Sequence, residues 1–301
     1  MPPANSLTGA HPAAFDMRGR VMNGSDRSAY YGMTGEEAGR AYLRRVRMAR
    51  ALFGGVAALL LVLAFACVIW GNGIFEIWYW LALAAVVAMI IVFRIRTSLL
   101  FKELVDIVEQ DGDPAKYRIA IEEIGRKSRL EMSSASHTVE LAYADFNDAK
   151  PYEALERLAH VDLARARKNV AFRAFNVEIL GRLELGDVQG AQLAAQRLEA
   201  IRESFRKGSR SRRTADGLVE NVQMWLRSPA GWTPADGEFI RKRISQAPSA
   251  QARSSWQLYA VEYELLHGSR EEASRLLDEL AAEKLTPRNR ARFERLRGAT
   301  A

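Results

Sequence analysis

The 301-residue chain has one cysteine, Cys67, which excludes an internal disulfide framework and a cysteine-based zinc site and fits a reducing compartment. Its four histidines, His11, His137, His160 and His267, are scattered without ligand spacing, so no metal centre is expected. No phosphate-cradling glycine loop, HExxH pair, GxSxG elbow or dinucleotide fingerprint occurs. Carboxylates fall where solvent-facing helix positions need them, commonly four residues from Arg or Lys. The chain is therefore read as a non-enzyme, with no catalytic residues and no cofactor. Charge is also missing locally: none falls between Ala51 and Phe75, although charged residues make up 26% of the whole.

What is present in that gap is apolar. Ala51 to Trp70 is an unbroken run of twenty residues, long enough at about 1.5 Å per residue to cross a hydrocarbon layer of about 30 Å. Gly71-Asn72-Gly73 suits a tight turn, and Ile74 to Phe93 supplies a second span. A transmembrane hairpin over 51–93 is expected, with spans 51–70 and 74–93 and the turn at 71–73. A cleaved leader is the poorer reading, because the apolar core begins fifty residues in. Arg44, Arg45, Arg47 and Arg50 precede the first span, Arg94 and Arg96 follow the second, and the turn has no cation. The positive-inside rule then places both termini in the cytoplasm, as a multi-pass protein of the plasma membrane. Trp70, Trp78, Tyr79 and Trp80 surround the turn, where amphipathic rings favour the headgroup region. Glu76 is close enough to the turn to reach water, which argues against an ion path. Ala51, Gly54, Gly55 and Ala58, with Ala84 and Ala88, offer small residues at four-residue spacing. They are expected to pack the hairpin on itself, with homo- or hetero-oligomerisation through the hairpin as the second use.

The formal net charge of +7 is unevenly divided. Residues 1–50 carry eight arginines against four acids, whereas 97–301 hold 33 basic and 31 acidic residues. The bulk outside the membrane is nearly neutral, so the high isoelectric point does not argue for nucleic acid. Residues 1–33, rich in Pro, Gly, Ser and Asn, are expected to be a disordered cytoplasmic tail. Thr34 to Glu37 has capping-box spacing, so a juxtamembrane basic helix is expected over 34–50.

From 94 to 301 the apolar residues become periodic. Leu100, Leu104, Ile107 and Val108 extend the second span as an amphipathic helix; Asp113 then caps a helix that begins at Pro114 and places Tyr117, Ala120, Ile121 and Ile124 on one face. Helix starts at Pro114, Pro151 and Val188 lie 37 residues apart, a period that suggests stacked helix pairs. Further boundaries stand at Thr233-Pro234 and Gly268-Ser269.

EYELLHGSREEASRLLDEL, with Gly268, Ala273 and Leu277, resembles the tetratricopeptide repeat family at its turn glycine, its small second-helix residue and the large residue four later. EILGRLELGDVQGAQLAAQRL matches through Gly186, Asp187, Ala191 and Ala195, and KPYEALERLAHV more weakly through Tyr152 and Ala154. Most units lack the family's first-helix Trp, Leu-Gly pair and closing Pro, and the period exceeds the usual 34. The resemblance implies an all-α protein in which the hairpin is followed by a TPR-like α-solenoid, close-packed at Ala154, Ala191, Ala195, Ala273 and Leu277.

Such a solenoid presents an extended concave surface, so the expected function is a membrane-anchored scaffold for a protein or peptide partner at the cytoplasmic face of the lipid bilayer. Two alternatives stand beside it. One is an anionic-lipid or nucleic-acid binder through 40–50 and 206–213, where Arg206, Lys207, Arg210, Arg212 and Arg213 are candidate anion ligands. No aromatic residues interleave these cations, which disfavours nucleic acid and leaves 206–213 as a flexible, solvated loop. The other is an accessory subunit of a larger membrane transporter or envelope complex.

Overall fold

Residues 27–69, 74–127 and 132–300 are described by a computed structural model. They form twelve α-helices and no strand: α1 (Gly35–Ile69), α2 (Ile74–Glu109), α3 (Pro114–Lys127), α4 (Ser134–Asn147), α5 (Pro151–Ala159), α6 (Lys168–Glu184), α7 (Val188–Glu203), α8 (Arg210–Trp225), α9 (Pro234–Ser245), α10 (Ala250–His267), α11 (Arg270–Ala281) and α12 (Pro287–Thr300). Trp70, the turn 71–73, most of the expected tail and the side chains of Cys67 and Glu76 lie outside the described residues.

Helix α1 starts at Gly35 because Thr34 and Glu37 satisfy each other's backbone: the Thr34 N–H donates to the Glu37 carboxylate at 2.9 Å, and the Glu37 N–H to Thr34 Oγ1 at 3.3 Å. Helices α1 and α2 run antiparallel, which the pairings Tyr42–Phe101 and Phe53–Phe93 define. Both are long and apolar enough to cross a membrane, with a mean hydropathy of 2.1 over eighteen residues in each. Only 6% of the residues in the first window, and none in the second, are buried within the protein, so these stretches are not core helices. Between them, Phe53, Ala57, Leu60, Ala64 and Ala66 on α1 and Tyr79, Ala82, Leu83, Val86, Met89, Phe93 and Thr97 on α2 are withdrawn from the surface. The small residues expected to pack the pair do not do so. Ala51, Gly54, Gly55, Ala58, Ala84 and Ala88 are exposed, and a Cβ added at Gly54 or Gly55 would meet nothing within 4 Å. The α1–α2 contact instead uses a mixture of small and large side chains, with Ala64 the most buried of them.

The outer ends of α1 and α2 behave differently. Ala38, Tyr42, Leu43 and Val46 share one core with Leu100, Leu104, Ile107 and Val108 of α2 and Tyr117, Ala120, Ile121 and Ile124 of α3. Gly35 and Gly39 let α1 approach α3: a Cβ on Gly35 would lie 2.6 Å from Ile119 Cβ, and one on Gly39 would lie 2.8 Å from the Ala120 carbonyl oxygen. The stretch 35–50 is the first part of α1, and its apolar face packs into the helical core. Its apolar residues recur every three or four positions, which gives it a face to bury while Arg44, Arg47 and Arg50 stay exposed.

The end of the expected tail is also anchored. The Ser28 N–H donates to Asp111 Oδ1 at 2.9 Å, Tyr30 is fully buried, and Lys116 Nζ donates to the Tyr30 carbonyl at 2.6 Å. A single buried aromatic leaves no periodic trace, so composition alone reads this segment as unstructured.

Beyond α2 each helix packs on the next. Asp113 caps α3 by accepting from the Lys116 N–H at 2.9 Å, and Asp187 caps α7 through the Gly190 N–H at 2.8 Å. Ala154, Ala191 and Ala273 are fully buried, Leu277 is buried, Ala195 is half-buried, and Tyr152 is exposed. The 37-residue spacing of helix starts lapses after Val188, because residues 226–233, with a 3₁₀ turn at Pro229–Gly231, delay α9 to Pro234.

The last helices then return to the first. Ser249 Oγ donates to the Glu109 carboxylate, the Ala250 N–H donates to Gln110 Oε1 at 3.2 Å, and the Arg288 guanidinium lies 4.2 Å over the Phe146 ring. Gly112, at φ +62°, makes that closure possible, since a Cβ there would stand 2.9 Å from Gln251 Nε2. The last helices thus pack back against α2 and α4.

Candidate ligand cavity

Closure leaves a cavity of about 290 Å³ among α6, α8, α10, α12 and the 226–233 connection. Its walls carry Leu180, Leu183 and Leu296, the rings of Trp225, Trp232 and Tyr259, and the guanidiniums of Arg227, Arg288, Arg292 and Arg295. The aromatic wall is preorganised: Trp225 stacks on Tyr259 at 6.4 Å and on Trp256 at 6.0 Å, and Arg292 lies 3.7 Å over the Tyr259 ring.

Three of the arginines have carboxylate partners: Arg227 with Asp236, Arg288 with Glu184 and Arg292 with Glu262. Burial opposes the charge on Arg292, yet Tyr259 and Glu262 outweigh it and raise its pKa above the ordinary value. Four arginines against three carboxylates leave one positive charge over, on the exposed Arg295, which has no carboxylate partner among the described residues. The indole N–H groups of Trp225 and Trp232 are buried with no acceptor among the described residues, and the Pro229 carbonyl is taken by His267 Nε2 at 2.8 Å.

An apolar groove of about 720 Å³ lies between α5, α6 and α7. It is the larger of the two: Arg182 there is held by Glu178 and Asp187, Lys168 donates to the Ser204 carbonyl, and Arg197 is exposed with no carboxylate partner among the described residues. Among the described residues no group of histidine, cysteine or carboxylate side chains could hold a metal ion.

Only the first half of the basic segment 206–213 is a solvated loop; from Arg210 onward it is helix. Ser209 caps α8 by accepting from the Arg212 N–H at 3.1 Å, which puts Arg210, Arg212 and Arg213 in the first helical turn. Arg212 is engaged by Glu203 at 3.0 Å and Asp216 at 2.9 Å and is not available as an anion ligand. With Arg202, it holds the Glu203 carboxyl down to about 2. Arg206, Lys207, Arg210 and Arg213 remain exposed. Cations in the first turn of α8 oppose the helix dipole, so the carboxylate partners of Arg212 are what make this start tolerable.

Among the interface residues, Arg44, Arg47, Arg50, Arg94, Arg96, Trp78 and Trp80 are exposed and Tyr79 is half-buried. Arg45 departs from the group: it pairs with Glu103 at 2.8 Å and lies 5.2 Å over the Tyr30 ring.

Sequence reading missed the cavity because its residues come from five segments spread over more than a hundred positions. One signal was present: Arg288, Arg292 and Arg295 form a stripe at helical spacing on α12. Compared with known protein families, curated proteins and solved structures, the chain matches none of them.

Proposed function

We propose that the protein is a membrane-anchored interaction scaffold, in which α1 and α2 form a transmembrane hairpin and the remaining helices form a TPR-like body on the cytoplasmic side. The observation that carries this reading is the division within α1 and α2. Over 51–69 and 77–95 they expose Leu52, Leu59, Val62, Phe65, Ile77, Trp80, Leu81 and Ile91, while their outer ends belong to the core of the helical body. So much contiguous apolar surface is unstable in water and at home in lipid. Because both helices continue without a break into that core, the body is fixed relative to the bilayer, and its cavity supplies a binding site held at a set height above the membrane.

The experiment is site-specific photo-crosslinking of the full chain in native membranes, combined with reporters at both termini. A probe at position 295 should yield a discrete protein adduct, and both reporters should read as cytoplasmic. Opposite locations for the two reporters would end the hairpin reading. Adducts confined to lipid or nucleic acid, from probes at 47 and 210, would favour the anion-binding alternative, for which the exposed Arg44, Arg47, Arg50, Arg94 and Arg96 speak.

A further inference from the structure

The helices α3 to α8 alternate in direction, and their contacts fix which end of each lies towards the apolar spans. Helix α3 runs alongside α1, since Gly35 meets Ile119 and Gly39 meets Ala120 and Glu123, so it ends on the side where α1 leaves for its span. Helix α4 runs back, with Gly125 beside His137 and Arg118 3.4 Å from Asp145. Gly181, late in α6, lies against Leu155 and the Pro151 carbonyl at the start of α5, which follows the far end of α4 by a short turn. Helix α6 therefore starts on the span side. Helix α7 ends there, because Lys168 Nζ donates to the Ser204 carbonyl at 3.0 Å, and α8 starts there, because Arg212 donates to the Arg202 carbonyl at 2.9 Å.

Charge follows this alternation. The far turns carry Asp111 with Asp113, Asp148 with Lys150, and Glu184 with Asp187. On the span side α3 ends in Arg126 and Lys127, which share Glu123. The stretches 160–168 and 199–216 then hold nine cations against four acids. Those acids, Asp162, Glu199, Glu203 and Asp216, pair with Arg165, Arg202 and Arg212. Left exposed, with no carboxylate partner among the described residues, are Arg167, Lys168, Arg206, Lys207, Arg210 and Arg213.

We infer that this basic edge, formed by the start of α6, the end of α7 and the start of α8, docks on anionic lipid headgroups of the bilayer that holds the hairpin. The inference goes beyond the scaffold reading and takes its orientation from the hairpin. The exposed Arg44, Arg47, Arg94 and Arg96 at the span ends lie on the same side, so one basic surface runs outward from the hairpin. Cations act on a charged membrane within a Debye length, about 8 Å at physiological salt, and only the span-side turns can come that close. The edge stands several helix widths of about 10 Å from the hairpin, so the second contact stops the body from pivoting on its anchor. Phe172 and Phe205, the rings beside these cations, pack edge to face on each other at 6.5 Å and form no stacking platform, which speaks against nucleic acid.

The test uses the full chain in lipid nanodiscs, in a Cys67→Ala background, with a fluorophore on Ser211→Cys at the edge or Gln189→Cys at a far turn. The discs hold phosphatidylcholine alone or with phosphatidylserine, plus a lipid whose headgroup carries a quenching nitroxide. The expected result is quenching at 211 that requires phosphatidylserine, none at 189, and release at about 1 M salt, where the Debye length falls to about 3 Å. Arg210→Ser should lower the ratio of docked to undocked body about fivefold, and adding Arg206→Ser should lower it about twenty-five-fold in all.

The inference is overturned if 211 is not quenched on phosphatidylserine discs, if it is quenched equally on phosphatidylcholine, or if quenching survives the paired substitution. Displacement of the edge by micromolar single-stranded DNA at physiological salt would assign it to nucleic acid and overturn the membrane assignment. A fluorophore on Leu59→Cys with an acyl-chain nitroxide separates the two readings. Quenching at 59 without quenching at 211 keeps the hairpin and ends the docking inference; quenching at 211 without quenching at 59 keeps the basic edge as a lipid surface and ends the hairpin.

Discussion

Helix α1 contains two pairs of glycines in opposite situations. Gly35 and Gly39 lie against α3 so closely that a methyl group would collide with Ile119 or the Ala120 carbonyl, whereas Gly54 and Gly55 face open space. The two halves around them differ in the same way. In 35–50 the apolar residues are buried at helical intervals; in 51–69 large apolar side chains are exposed on nearly every side. One continuous helix thus meets two different surroundings, and what a residue contributes depends on which half carries it.

The largest contrast should come from truncating leucines. Leu104 is fully buried and Leu61 is 52% exposed, so Leu104→Ala should destabilise the body by about 2–5 kcal/mol, as large-to-small core changes do. Leu61→Ala should leave the melting temperature of the micelle-bound protein nearly unchanged. Equal losses would mean that the two halves share one kind of core. Next in size are the glycines: Gly39→Ala should cost about 1–3 kcal/mol through overpacking against α3. Gly54→Ala should be neutral or slightly stabilising, because alanine is favoured over glycine in a helix by about 1 kcal/mol. A destabilising Gly54→Ala would show that the exposed small residues are covered by a partner in the membrane.

A smaller difference is expected within the basic segment. Arg212→Ser should lower the melting temperature by a few degrees, and Arg210→Ser, whose guanidinium is exposed, should not. Smallest is the pH effect. Glu203 has a depressed pKa, so its contribution is present above the ordinary value of 4.5 and is lost as pH falls towards about 2. The gap between the parent and Arg212→Ser should therefore close across that window, and a gap that stays constant would show that Arg212 acts through packing alone.

Much of the local structure is legible in the chain. Twenty uncharged apolar residues from Ala51 form a run long and apolar enough to cross a membrane. The starts of α3, α5 and α7 follow from an acidic cap or a proline at the first helical position, both of which act within a few residues. The buried alanines 154, 191 and 273 lie on the apolar faces that helical spacing marks out. These are short-range matters of backbone satisfaction and side-chain periodicity, and the sequence determines them by itself.

Only the tertiary structure decided the rest. Tyr30 is buried because α1, α2 and α3 leave room for it, and Arg212 gains Glu203 because the end of α7 is brought against the start of α8. The cavity exists because α10 and α12 return to α2 and α4, gathering arginines and indoles whose relation along the chain carries no pattern. Periodicity reports which face of a helix is buried but not which helix covers it. The meeting of distant segments is set by how whole helices fill space, and that is where this protein acquired its candidate site.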